Sequence, residues 1–137
     1  MMITHPTLVF THPTGQDWLE IFLDHGYKYV WESLMAITSM LPVDYLNVDE
    51  AIEGIAAAAV IASALNRPLP GTPPELLAWI PGHPLGDDPE LVQMARDALA
   101  RVLADSELKE QWEAGGDAAA WHTTTLDLQN CLNQQGD

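Results

Sequence analysis

The side chains that could do chemistry here are histidines, carboxylates and a single thiol. His5, His12, His25, His83 and His122 stand at spacings that place no two of them at i, i+4 on one helix, and neither an HExxH nor a CxxC motif occurs. His5, His12 and Asp17 could meet around a metal ion, but a metal site needs at least three convergent ligands. Solvent-exposed histidines near a terminus are the more economical account, so no metal and no cofactor is expected. His83, between Gly82 and Pro84, reads as a residue that steadies its loop through a hydrogen bond.

The carboxylates are more suggestive. Asp17, Glu20 and Asp24 line one helical segment, and Asp49, Glu50 and Glu53 crowd the start of another. Carboxylates at i, i+3 and i+4 could hold a divalent cation or face a basic partner. A di-metal bundle would need inward-pointing Glu-x-x-His pairs, and the chain has none. Close like charges raise one another's pKa, which alone does not make an acid/base pair. A solvated acidic face is the plainer account of all six, and the same six are the candidate partner-binding residues.

Nucleophilic catalysis finds no support. Ser33, Ser39, Ser63 and Ser106 lack a GxSxG context. Cys131 sits at helical spacing from Leu128 and Leu132 in LDLQNCL, as a small packed residue does. GDDPE reads as a helix cap whose acids repel phosphate. Trp18, Trp31, Trp79, Trp112 and Trp121 fall at apolar helical positions, which predicts core anchors and not a ligand cage. An enzyme is therefore the less favoured class.

These groups must be held by helices. Asn47 to Asn66, NVDEAIEGIAAAAVIASALN, is the most apolar stretch. Ile52, Ile55, Ala56, Ala59 and Val60 recur at three- and four-residue steps, with Asp49, Glu50 and Glu53 on a polar stripe. Asn47 caps it, with Glu50 three residues on in capping-box fashion. Ala56–Ala59 leave room for close neighbours, so this is the expected central helix.

Before it, residues 3–10 read as one short strand or an extended arm, with residues 1–13 as an arm overall. Thr14 is the expected N-cap of a helix ended by Gly26. A second helix runs from Tyr27 to about Met40, punctuated by Pro42 and Asp44. After it come a proline-rich connection (67–74), a short helix to Trp79, and a helix opened by Asp88-Pro89-Glu90 that carries Arg96 and Arg101 opposite its apolar face. Asp105 or Ser106 caps SELKEQWEA, and a last helix brings Trp121, Leu126, Leu128 and Leu132 inward before fraying at 133–137. The expectation is a single all-α domain over 1–137, a bundle of six to seven short helices, with room for one N-terminal strand.

The balance of 20 acidic against five basic residues, net −15, repels phosphate backbones and anionic membranes. Direct nucleic-acid and membrane binding are disfavoured, and a basic protein partner is favoured. One cysteine permits no internal disulfide, the opening MMITHPTLVF lacks the pattern of a signal peptide, and the run Ile55–Leu65 is too short to span a bilayer. A cytoplasmic protein follows as the expectation.

The stretches AAAAVIASALNRPLPGTPPELLAWI, HPL, VLADSELKEQWEAGGDAAAW and LDLQNCL, in that order between about residues 45 and 132, resemble a bacterial family of mostly helical proteins known as domain of unknown function 4259. That family tends to open with a Trp-Gly, Phe, Asn-Asp and Asp-Trp signature. Phe10, Asp17 and Trp18 fit it, whereas His12 and Pro13 stand at the Asn-Asp position and the Trp-Gly step is missing. The resemblance implies the helical fold and carries no activity.

Two function classes remain. One is an acidic binding module, such as an immunity or inhibitor protein that blocks a basic nuclease toxin, its carboxylates standing in for phosphates. The other is a metal-dependent enzyme using His5, His12 and nearby acids. A structural or regulatory domain whose acidity serves solubility is the bland third.

Overall fold

The computed structural model describes residues 8–11, 13–41, 43–65, 72–85, 88–104, 106–114 and 118–135. It contains eight α-helices among them: α1 (Leu8–Thr11), α2 (Pro13–His25), α3 (Tyr27–Thr38), α4 (Val48–Ala64), α5 (Pro74–Trp79), α6 (Pro89–Ala104), α7 (Glu107–Ala114) and α8 (Ala118–Gln135), with a 3-10 turn at Ile80–Gly82 after α5. No strand occurs among the described residues, and the all-α expectation holds.

Helix α4 is more deeply placed than an amphipathic pattern requires. Twelve of its seventeen residues are buried, and from Gly54 to Ser63 the burial is unbroken around every face. A helix that is apolar all round belongs in the interior, and here α1, α2, α3, α6, α7 and α8 all pack on it. Its small residues are what admit so many neighbours. A Cβ on Gly54 would stand 2.3 Å from Cδ1 of Ile37 in α3. The larger side chains Ile52, Ile55 and Ile61 are fully buried, each stabilising the fold by about 1.5–3 kcal/mol.

The caps follow the sequence in most places. Asn47 Oδ1 accepts from the Glu50 N–H at 2.9 Å, Asp88 Oδ1 from the Leu91 N–H at 3.1 Å, and Ser106 Oγ from the Lys109 N–H at 3.0 Å. Gly26 ends α2 at φ +74°, a left-handed conformation that a glycine adopts without steric cost.

Several expectations are corrected. Residues 8–11 are helical, not extended; Val9 and Phe10 are buried, and α1 crosses α2 so closely that a Cβ on Gly15 would overlap the Val9 carbonyl. Residues 1–7 lie outside the described residues. Helix α2 starts at Pro13, which suits the first helical position, so Thr14 lies inside the helix and its hydroxyl is spent elsewhere. Helix α3 stops at Thr38, two residues early, because the Leu41 N–H is taken by the Asp44 carboxylate. Residues 133–135 are helical rather than frayed. Leu126 is half-buried, unlike Leu128 and Leu132.

Trp31 is the clearest miss. It is 45% exposed because Val30, Ser33, Leu34 and Ile37 form the buried stripe of α3, and Trp31 lies about 100° round the helix from Val30. Trp18 is buried, Trp79 half-buried, and the side chains of Trp112 and Trp121 lie outside the described residues.

The Gly54–Ile37 contact gives a testable coupling. Gly54→Ala gains about 1 kcal/mol of helix propensity and loses about 1–3 kcal/mol to overpacking, so urea unfolding should show a net loss. Ile37→Val removes the offending methyl group. It should cost about 0.5–1.5 kcal/mol alone and nothing in the Gly54→Ala background.

Candidate protein-binding surface

The packing of α2 on α3 is built on Trp18. Its indole N–H donates to the Ser33 hydroxyl at 2.8 Å, so the buried polar atoms of both residues are satisfied within the core. The indole stacks on Phe22 and on Tyr29, with centroids 5.4 and 5.3 Å away. Phe22 carries the aromatic run on to Trp79, at 4.6 Å, and the His83 ring lies flat on Trp79 at 3.9 Å. His83 Nδ1 sits 2.9 Å from the Trp79 carbonyl, which only an Nδ1–H can satisfy, and the Tyr27 hydroxyl donates to the His83 carbonyl at 2.7 Å. The loop-steadying role expected of His83 is what the structure shows.

The six candidate carboxylates lie on α2 and at the head of α4. The Thr14 hydroxyl donates to Asp49 Oδ1 at 2.8 Å and ties the first turn of α2 to the first turn of α4. Glu53, one turn on from Asp49, is half-buried; burial, then the charges of Asp49 and Glu50, pushes its carboxyl above the usual range. Burial raises the neighbouring Tyr29 phenol, with Glu53 and Glu32 adding to the effect. Asp49, Glu50, Glu53 and Glu32 therefore share one acidic field. Asp17 and Asp24 are exposed, two turns apart on α2. Glu20 departs from the set: about 120° round α2 from Thr14, it lines a shallow groove of about 370 Å³ with Phe10, Leu23, Pro73 and Glu75.

Sequence spacing missed the contribution of α7. The Glu107 N–H donates to the Leu46 carbonyl at 2.8 Å, and Glu107 Oε1 accepts from the Val48 N–H at 2.9 Å. The free N-terminal N–H groups of a helix need such partners, and α4 recruits one from a residue 59 positions away. Glu110 Oε1 accepts from the Tyr45 hydroxyl at 2.8 Å. Nothing local to residues 45–48 announces these partners; the one trace is that SELKE opens a helix with two glutamates on its first turns.

Both half-buried arginines of α6 bond backbone carbonyls. Arg96 donates from Nε and Nη2 to the Leu132 carbonyl at 3.1 and 2.8 Å, in the last turn of α8 where carbonyls lack helical partners. Arg101 donates to the Leu41 carbonyl at 3.3 Å and to the Asp44 carbonyl. Among the described residues no group of three or more His, Cys, Asp or Glu side chains is arranged to hold a metal ion, and no helix is long and apolar enough to cross a membrane. His5 and His12 lie outside the described residues, as does the side chain of His122.

The geometry describes a small helical protein with an acidic group at the head of its buried helix. The family model for the domain of unknown function (DUF4259) matches residues 7–124. The chain belongs to that family; the match takes in α1 to α3 as well as the stretches from Tyr45 to Trp121, and it ends before LDLQNCL. No curated protein and no solved structure matches the chain.

The raised Glu53 carboxyl sets a pH dependence. Its proton is held more tightly in the folded state, so ionisation at neutral pH costs folded stability, and the contribution is fully favourable only below the unfolded carboxyl range. Glu53→Gln should raise the midpoint of thermal unfolding by a few degrees at pH 7. The gain should fade as pH falls through the ordinary carboxylate range, which scanning calorimetry at several pH values measures.

Proposed function

We propose that this chain is a binding module that docks a basic protein and blocks it, in the manner of an immunity or inhibitor protein against a nuclease. The observation that carries this reading is the joining of two acidic helix segments, α2 and the first turns of α4, through the Thr14–Asp49 hydrogen bond. Around them the overall charge is −15. Two of the five basic side chains, Arg96 and Arg101, are turned to backbone carbonyls. A field of this sign speeds encounter with a cationic surface and makes the association sensitive to salt. Carboxylates displayed on rigid helices present anionic oxygens without the conformational freedom of a tail.

The test is copurification from source cells, then titration of the recovered partner at several ionic strengths. Affinity should fall about tenfold or more between roughly 50 and 200 mM salt, where the screening length drops below about 10 Å. Asp49→Asn with Glu50→Gln should weaken binding by a further factor of about ten, or about 1.4 kcal/mol. An affinity indifferent to salt, or no recovered partner, would sink the proposal.

A further inference from the structure

The turn between α3 and α4 presents three large apolar side chains within five residues. Leu41 is 61% exposed, Val43 87% and Tyr45 57%. Single exposed apolar residues are ordinary on a protein surface; three of them on one five-residue turn point to a contact site. This group is also held firmly. The Asp44 N–H donates to the Leu41 carbonyl at 3.0 Å and closes the turn. Asp44 Oδ2 accepts from the Leu41 N–H at 2.8 Å. Arg101 reaches across from α6 to the carbonyls of both Leu41 and Asp44. Tyr45 is fixed to Glu110, and Leu46, next along, is fully buried. A turn ordered in this way gives up little conformational entropy when it binds.

The surroundings of the turn say what would cover it. Asp49 and Glu50 follow Tyr45 by four and five residues at the head of α4, Glu107 accepts from the Val48 N–H, and Glu110 accepts from the Tyr45 hydroxyl. The arrangement is an apolar and aromatic centre with an acidic rim, the common anatomy of a protein interface. A second copy of the chain would bring like charges together at that rim, which disfavours it. A partner with an apolar cleft edged by lysine or arginine fits both parts.

We propose that Leu41, Val43 and Tyr45 are the apolar anchor of the docking surface, seated in an apolar cleft of a basic protein whose cations meet Asp49, Glu50 and Glu110. The proposal rests on the basic-partner reading above and adds to it where the partner sits and what, besides charge, it must offer.

Two synthetic peptides of equal positive charge test it: an amphipathic lysine/leucine helix, and a lysine/glutamine peptide with every leucine replaced. Binding to the full chain is read by fluorescence anisotropy at low salt. The amphipathic peptide should bind about tenfold more tightly, equivalent to about 1.4 kcal/mol. Val43→Ser with Tyr45→Ala should abolish that preference and leave affinity for the polar peptide unchanged. Asp49→Asn with Glu50→Gln should weaken both peptides alike. Val43→Ser alone, at a side chain almost wholly in solvent, should leave the unfolding midpoint unmoved and still lower the preference, which separates docking from folding. Equal affinity of the wild-type chain for both peptides overturns the anchor and leaves the electrostatic reading standing, as does a preference that survives the turn variants. Failure to bind either peptide overturns the basic-partner reading and the anchor with it. A wild-type dimer that Val43→Ser converts to monomer in sedimentation assigns the turn to self-association and also overturns the proposal.

Discussion

The architecture depends on a helix with almost nothing polar to offer along ten consecutive residues. Between Gly54 and Ser63, α4 is buried on every face, and its alanines let six other helices reach it. Close approach of backbones replaces the interdigitation of large side chains that a Leu-rich core would use. The constraint has a consequence at the surface. A helix with no solvated flank along its middle must carry its polar groups at its ends, and a negative charge is favoured at the N-terminal end by the helix dipole. Asp49 and Glu50 satisfy the helix and colour the surface with the same charge. Glu53 shows the limit of the arrangement: one turn further in, burial and its own neighbours work against its ionisation.

The rest of the molecule serves the ends of that helix. Glu107 fastens the backbone on both sides of Asn47, accepting from Val48 and donating to Leu46, while Thr14 holds Asp49 from α2. Arg101 secures the preceding turn from α6. Three helices distant in sequence, α2, α6 and α7, thus converge on residues 41–50. The chain has few cations, and it spends two of them on backbone carbonyl groups, in the last turn of α8 and in the turn before α4. A guanidinium suits this use because its planar fork can serve one carbonyl twice, as Arg96 does at Leu132, or two carbonyls at once, as Arg101 does.

Helix existence was legible from local chemistry, because caps and apolar periods are short-range signals. Asn47, Asp88 and Ser106 cap the helices they precede, and α4 lies at the centre as its alanines imply. Three things were hidden for identifiable reasons. Trp31 has the size of a core residue, yet the α3 stripe was narrow enough to be filled by Val30, Leu34 and Ile37, with Ser33 required as the acceptor for Trp18. The short helix α1 carries β-branched and aromatic residues, which favour strands in isolation; docking on α2 and α4 overrides that preference. Of the candidate acids, the grouping of Asp49, Glu50 and Glu53 survives in space because it is local. The separation of Glu20 from that group follows once Thr14 is seen to meet Asp49, a tertiary contact that the spacing of the acids alone does not report.

The same distinction explains why the apolar turn escapes a reading based on periodicity. Leu41, Val43 and Tyr45 alternate with other residues in a segment too short to show a period, and their exposure is set by contacts made on either side of them. Leu46 turns inward and Arg101 holds the backbone from below, which leaves the intervening side chains no interior to enter. Leaving three apolar groups in water forgoes roughly the 1.5–3 kcal/mol that full burial of each large one would bring, and the bonds that fix the turn prevent it from collapsing onto the body to recover that loss. A surface held open in this way is stable only because α4 supplies the burial elsewhere. The deep helix and the exposed turn are thereby two ends of one energetic arrangement, joined at Leu46, the residue where the chain passes from one to the other.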